Sequence, residues 1–139
     1  MSKIAVVYWS GTGNTQAMAA AVEAGAKENG SEVTIFAPSD FTPDKVAEFD
    51  AIAFGCPAMG AEVLEETEFD PMFTEVESSL SGKKIALFGS YGWGDGQWMR
   101  DWEDRCNGAG AILATDSVMA NNAPDADAIE ECKALGRAL

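Results

Sequence analysis

Ile4-Ala5-Val6-Val7-Tyr8-Trp9, followed directly by Ser10-Gly11-Thr12-Gly13-Asn14-Thr15, is the stretch on which the reading of the chain turns. Its first half is a continuous, partly β-branched apolar run closed by a glycine-rich turn, the pattern of a parallel strand buried on both faces. Its second half consists of small residues bearing hydroxyls, an amide or no side chain at all. At a strand-to-helix turn such residues aim backbone N–H groups, side-chain donors and a helix N-terminus at one anion. Beyond Thr15, the positions Met18, Ala21, Val22 and Gly25 recur at helical spacing, and Gly30 supplies a stop. The order is strand, cradle, helix.

The same alternation continues along the chain. Glu32-Val33-Thr34-Ile35-Phe36 reads as a second strand, and Thr42-Pro43 caps and starts a short helix carrying Val46 and Phe49. Ala51-Ile52-Ala53-Phe54-Gly55-Cys56 is a third strand, ended by Pro57 and followed by the irregular segment Ala58-Met59-Gly60-Ala61-Glu62. Asp70-Pro71 reads as an N-cap and first helical residue, with Phe69, Met72, Phe73, Val76 and Leu80 on one face. Lys84-Ile85-Ala86-Leu87-Phe88-Gly89 is a fourth strand, and Ser90-Tyr91-Gly92-Trp93-Gly94-Asp95-Gly96 leaves it as a second glycine-rich loop. A helix with Trp98, Trp102 and Cys106 at helical spacing comes next. The fifth strand is Ala111-Ile112-Leu113-Ala114, with an extension through Val118 left open, and a last helix carries Ile129, Cys132, Leu135 and Leu139.

Strands alternating with helices in this way imply an α/β fold in three layers, a doubly wound five-stranded parallel sheet with strand order 2-1-3-4-5. The 139 residues suit a single domain, 1–139. In such sheets a ligand sits outside the carboxyl ends of the strands, at the switch point between strands one and three. The loops after strands one, three and four therefore meet.

Composition narrows the function. Hydrophobic content is 47% without a long apolar run, and the first strand lacks the features of an export signal, so a cytoplasmic chain with no membrane anchor is expected. Acidic residues number 23 against 9 basic, a formal charge of −14, which disfavours nucleic acid and anionic membranes as partners. There is no histidine, and the three cysteines, Cys56, Cys106 and Cys132, form no C-x-x-C pair. No metal site, dithiol centre or catalytic residue is expected from them.

The cradle lacks the Gly-Lys-Ser/Thr of a triphosphate loop and the third glycine of a dinucleotide fingerprint. With no Lys or Arg beside it, neutral donors and a helix dipole suit one terminal monophosphate, although a Gly-Thr-Gly turn alone can equally be structural. In the second glycine-rich loop, Tyr91 and Trp93 can cover a flat ring or pack into the core. Trp98 and Trp102 read as core or rim.

Three segments together resemble a known family, the short-chain flavodoxins of bacteria: Tyr8-Trp9-Ser10-Gly11-Thr12-Gly13-Asn14-Thr15, Gly55-Cys56-Pro57-Ala58-Met59-Gly60 and Leu87-Phe88-Gly89-Ser90-Tyr91-Gly92-Trp93-Gly94-Asp95-Gly96. The resemblance implies a flavodoxin-like fold, noncovalent FMN and one-electron transfer at low potential in place of ferredoxin. Ser10, Gly11, Thr12, Gly13, Asn14 and Thr15 then hold the FMN phosphate. Pro57 and Ala58 line the ribityl chain, Met59 packs on one flavin face and Trp93 stacks on the other. Glu62 accepts from the flavin N3–H, the backbones of Tyr91, Gly92, Trp93 and Gly94 lie near the pyrimidine end, and Ser90 and Asn122 are further contacts.

By the same resemblance the Gly60 carbonyl turns toward N5 in the semiquinone, at little steric cost because Gly60 lacks a Cβ. Ala61 stands where many relatives carry Asp, Gly or Asn, and an alanine held left-handed costs about 1–2 kcal/mol, which weakens that turn. The anionic hydroquinone faces a span without Lys or Arg from Val46 to Gly82, crowded by Glu48, Asp50, Glu62, Glu65, Glu66, Glu68, Asp70, Glu75 and Glu77. Two unit charges about 10 Å apart repel by about 0.4 kcal/mol in bulk water and more near an apolar ring. A strongly reducing second couple follows. An acidic rim also steers partners with basic docking surfaces, by family the ferredoxin- and flavodoxin-linked reductases and oxidoreductases, meeting a monomer in transient contacts.

Two other readings share the architecture. A small FMN-dependent NAD(P)H:quinone oxidoreductase-like enzyme needs a nicotinamide site and a substrate cavity. A phospho-receiver domain needs clustered Asp after strands one and three and a Lys after strand five, where this chain has Trp9-Ser10, Cys56-Pro57 and no basic residue.

Overall fold

The computed structural model describes residues 2–60, 62–92 and 94–139. Its element order is β1 (Lys3–Tyr8), α1 (Asn14–Glu28), β2 (Glu32–Phe36), a 3-10 turn (Pro38–Asp40), α2 (Pro43–Val46), β3 (Ala51–Gly55), α3 (Phe69–Glu77), β4 (Lys84–Tyr91), α4 (Gln97–Gly108), β5 (Ile112–Leu113), β6 (Val118–Asn121) and α5 (Ala126–Arg137). All strand pairs are parallel and the order is β2-β1-β3-β4-β5, with β6 also beside β4. The 2-1-3-4-5 order is the expected one.

Strand alternation divides the core into two layers. Ala5, Val7, Ile52, Phe54, Ile85 and Leu87 face α3 and α4, where they meet Phe69, Phe73, Trp98 and Trp102. Val6, Ala53, Ala86 and Phe88 face α1 and α5, where they meet Met18, Val22, Cys132 and Leu135. Helices α1 and α5 touch backbone to backbone. A Cβ added to Gly25 would lie 2.0 Å from the Lys133 carbonyl oxygen, and one added to Gly136 would lie 2.1 Å from that of Val22.

Three expectations require correction. The sheet expected to have five strands gains a minor sixth: β5 pairs with Lys84 and Ile85, residues 115–117 leave the edge after the Ala114 amide bonds to the Ile85 carbonyl, and β6 resumes the same edge opposite Phe88 to Tyr91. From Ile85 to Phe88 there are three steps along β4, but from Leu113 to Val118 there are five along the edge, so two residues are extruded. They come from the polar Thr115-Asp116-Ser117, whose short side chains compete with ladder bonding, and Ser117 Oγ turns away to Glu103 at 2.7 Å.

The start of α3 also differs. Glu68 is its N-cap residue, so Asp70 and Pro71 stand inside the first turn, where a missing proline N–H is tolerated. The donors there are satisfied from outside the helix by Glu65. Leu80 lies beyond the helix yet is fully buried. Finally, α2 ends at Val46, leaving Phe49 to reach the core from a turn, edge-on to Phe36 at 5.6 Å.

Candidate functional site

Strand β1 delivers the cradle. The Trp9 amide still bonds to the Gly55 carbonyl at 3.0 Å, and the chain then turns into α1 through Gly13, whose φ of 95° is left-handed and suits glycine. Ser10 Oγ accepts from the amides of Gly13 (3.1 Å) and Gln16 (3.3 Å). A helix leaves its first-turn amides without carbonyl partners. Ser10 takes two of them, so those of Asn14 and Thr15 remain for an anion. Thr15, almost fully buried, joins its hydroxyl to that of Ser90 at 3.2 Å and so ties the cradle to β4.

The segment after β3 is braced on both sides. The Cys56 amide donates to Phe88 O (3.1 Å), the Ala58 amide to Ser90 O (3.0 Å), and Trp98 Nε1 to Cys56 O (3.2 Å). Met59 and Val63 then close a small antiparallel bridge, Met59 N to Val63 O at 2.8 Å and Val63 N to Met59 O at 3.1 Å. Within the bridge, Glu62 has a φ of 56°, a left-handed conformation that is strained for a glutamate. Its Oε1 accepts from the first amide of α4, Gln97 N, at 3.2 Å. Gly94 passes so close that a Cβ there would lie 2.3 Å from the same oxygen, and its φ is 89°. Only glycine fits.

The loop after β4 is held from the far edge. The Asn122 amide donates to the Tyr91 carbonyl at 2.7 Å, with Asn122 itself left-handed at φ 60°, and Asn121 Nδ2 reaches the same oxygen at 3.3 Å. The three loops enclose a cleft of about 230 Å³, open to solvent, to which the cradle gives Gly11, Thr12 and Asn14. Pro57, Ala58 and Met59 line it from the second loop, and Ser90, Tyr91, Gly92 and Asn122 from the far side.

Of the other residues singled out from sequence, Ser10 and Thr15 brace the cradle from behind, Gly13 and Gly94 shape the backbone, and Gly60 stands exposed with φ 43°. Glu62 sits toward α4 rather than on the cleft wall. Ala61 and Trp93 lie outside the described residues. Trp9 is a wall residue that sequence reasoning passed over. Its ring covers Gly11, where a Cβ would lie 3.0 Å from Cη2, and its indole N–H donates to Glu68 at 2.5 Å. An aromatic residue directly before the cradle was the available signal.

The charge distribution is also less one-sided than the sequence suggests. Arg105, from α4, bonds Asp70 (2.8 Å) and Glu77 (2.8 Å) and lies 4.9 Å from the centre of the Phe73 ring. Burial alone lowers the affinity of Arg105 for its proton, but the bonds to Glu77 and Asp70 more than restore it. Glu65 is turned inward and capped. The carboxylate-only span from Val46 to Gly82 thus receives a counter-charge from elsewhere in the chain.

The sequence profile described as Flavodoxin matches residues 6–136 of this chain. The chain belongs to the flavodoxin family. It is 47% identical over 134 residues to the flavodoxin of Clostridium beijerinckii, covering 96% of each chain. It is 46% identical over 138 residues to that of Megasphaera elsdenii, covering 97% of this chain and 96% of the relative. Its fold superposes on the solution structure of two-electron reduced Megasphaera elsdenii flavodoxin with a TM-score of 0.89 at 47% identity, covering 97% of this chain and 96% of that one. Flavodoxins bind FMN and transfer electrons rather than catalyse a reaction of their own, and this chain is a flavodoxin electron carrier serving redox partners. The quinone-reductase reading is not favoured. Among the described residues no helix is long and apolar enough to cross a membrane.

Proposed function

We propose that residues 1–139 form one FMN-binding domain whose cofactor lies in the cleft between the three loops. The observation that carries this reading is the cradle's unspent amides. With Ser10 occupying Gly13 and Gln16, the N–H groups of Asn14 and Thr15 are left at the positive end of α1, beside an open cleft lined by apolar and amide side chains. A phosphomonoester with a flat ring attached fits that donor set.

In this reading Ser10 to Thr15 bind the phosphate, Pro57 and Ala58 flank the ribityl chain, and Met59 and Trp93 hold the two ring faces. Tyr91 to Gly94 border the pyrimidine end, with Ser90 and Asn122 beside them. Glu62 spends Oε1 on Gln97 and keeps Oε2 to accept from a ring N–H. Gly60 and Ala61 form the tip that presents a carbonyl to the ring edge. Bound FMN supplies the electron storage, one electron at a time. The protein supplies apolar contact on the ring and carboxylates near it, Glu62, Glu66 and Glu68 among them, which oppose a further negative charge and make the second couple strongly reducing.

The same carboxylates draw partners with basic docking surfaces, ferredoxin- and flavodoxin-linked reductases and oxidoreductases, in small transient contacts with a monomeric, cytoplasmic carrier. Purified protein is expected to be yellow and to develop a long-wavelength blue band on partial reduction with dithionite near neutral pH. Colourless protein that takes up no added FMN would overturn the reading.

A further inference from the structure

The cap of α3 is made by Glu65, a side chain that does not line the cleft. Glu65 is 5% exposed. Its Oε1 accepts from the amides of Glu68 (2.7 Å) and Phe69 (2.9 Å), and its Oε2 from the Thr67 amide (2.8 Å) and the Thr67 hydroxyl. Its own amide donates to Cys56 Sγ at 3.3 Å, and its carbonyl accepts from Asp70 N at 2.9 Å. Every polar group of the residue is engaged. Glu65 joins the end of β3, the first turn of α3 and the stem of the Met59–Val63 bridge.

Burying a carboxylate is costly, and a short N-cap residue would serve an ordinary helix start. A fully satisfied buried charge gives instead a single geometry, because each of its donors is stranded by any other arrangement. Here the geometry at stake is that of the loop. Ala58 is fixed to β4 upstream and Glu65 is fixed to Cys56 and α3 downstream, so the Met59–Val63 bridge lies between two anchors. The turn that Glu65 caps also carries Glu68, the partner of the Trp9 indole on the cleft wall.

We propose that Glu65 is a positioning residue for the flavin-binding loop: its buried carboxylate fixes the loop's downstream end and so holds the Met59–Val63 bridge in place. This rests on the reading that the loop borders FMN. Glu65 touches no cofactor and acts through the loop backbone.

The test compares wild type with Glu65→Gln, which keeps the shape but loses one acceptor oxygen, and with Thr67→Val, a milder change that removes one bond to Oε2. Amide hydrogen exchange on the apoproteins is read as the ratio of protection at Met59 and Val63 to protection at Val6 and Ile85 in the sheet. The ratio should fall at least tenfold in Glu65→Gln and by a smaller factor in Thr67→Val, and the FMN Kd of Glu65→Gln should rise about tenfold. A purely structural role lowers protection in loop and sheet together and leaves the ratio unchanged. An unchanged ratio, or an FMN Kd within twofold of wild type, overturns the proposal. Wild-type protein that binds no FMN would count against the cofactor reading instead, and the exchange ratio would still decide whether Glu65 clamps the loop.

Discussion

The two faces of the sheet are built in different ways. On one, α1 and α5 meet through Gly25 and Gly136 over a layer rich in alanine, so that backbone touches backbone. On the other, α3 and α4 stand off on aromatic rings: Phe54, Phe69, Phe73 and Trp102 pack edge-on or stacked at centroid distances of 5.1 to 6.5 Å. The cradle proposed to hold the phosphate opens α1, and the loop proposed to border the ring leads into α3. The element that follows the cradle thus rests partly on backbone contacts that leave no room for an added methyl. The element that follows the other loop rests on interlocked rings, where removing one leaves a cavity.

The largest expected effect is on the aromatic side. Phe73→Ala removes a ring that touches Phe54, Phe69, Trp102 and Arg105, and should lower stability by about 3–5 kcal/mol in urea unfolding. Gly25→Ala should cost about 1–3 kcal/mol, since the new methyl meets a main-chain oxygen that cannot turn aside. A cost below about 0.5 kcal/mol there would show that α1 and α5 separate freely, and the contrast between the faces would collapse.

The smallest expected effect sharpens the comparison through pH. Burial alone would raise the Glu65 carboxyl, but the bonds from Thr67, Phe69 and Glu68 outweigh it and hold the group below its ordinary 4.5. A depressed carboxylate stabilises the fold above its unfolded value, and the contribution declines below 4.5 and is lost as pH falls through the folded value. The stability gap between wild type and Glu65→Gln should therefore be widest near neutrality and narrow as pH falls below 4.5. A gap independent of pH would mean that Glu65 is not ionised in the fold.

The strand order, the helix faces and the three convergent loops were legible because they follow from local periodicity and turn chemistry: the β-branched run from Ile4, the spacing of Trp98 and Trp102, the glycines after β1 and β4. What sequence reasoning missed depends on partners distant along the chain. Arg105 neutralises carboxylates 28 and 35 positions earlier, which no reading of the 46–82 segment alone can reveal. Glu65 reads as one more acidic residue until its turn is seen to fold back. Asp70-Pro71 looks like a helix start because its chemistry is right, yet the helix begins two residues earlier, at Phe69, once Glu65 supplies acceptors. The extruded residues after β5 follow from a mismatch in length between two strands, which neither strand carries in its own sequence.

The cysteines give this molecule a built-in set of reporters. All three are buried: Cys56 beneath the loop after β3, Cys106 on α4 within the aromatic layer, and Cys132 on α5 within the close-packed one. Burial pushes Cys106 and Cys132 up to about 12 and Cys56 higher than its ordinary value, so thiolate is scarce in the folded protein at neutral pH. Electrons held by the cofactor meet no ready dithiol, and a thiol-specific reagent meets little thiolate until a layer opens. The order in which the three thiols become labelled under mild denaturant is then a direct record of which part of the carrier loosens first.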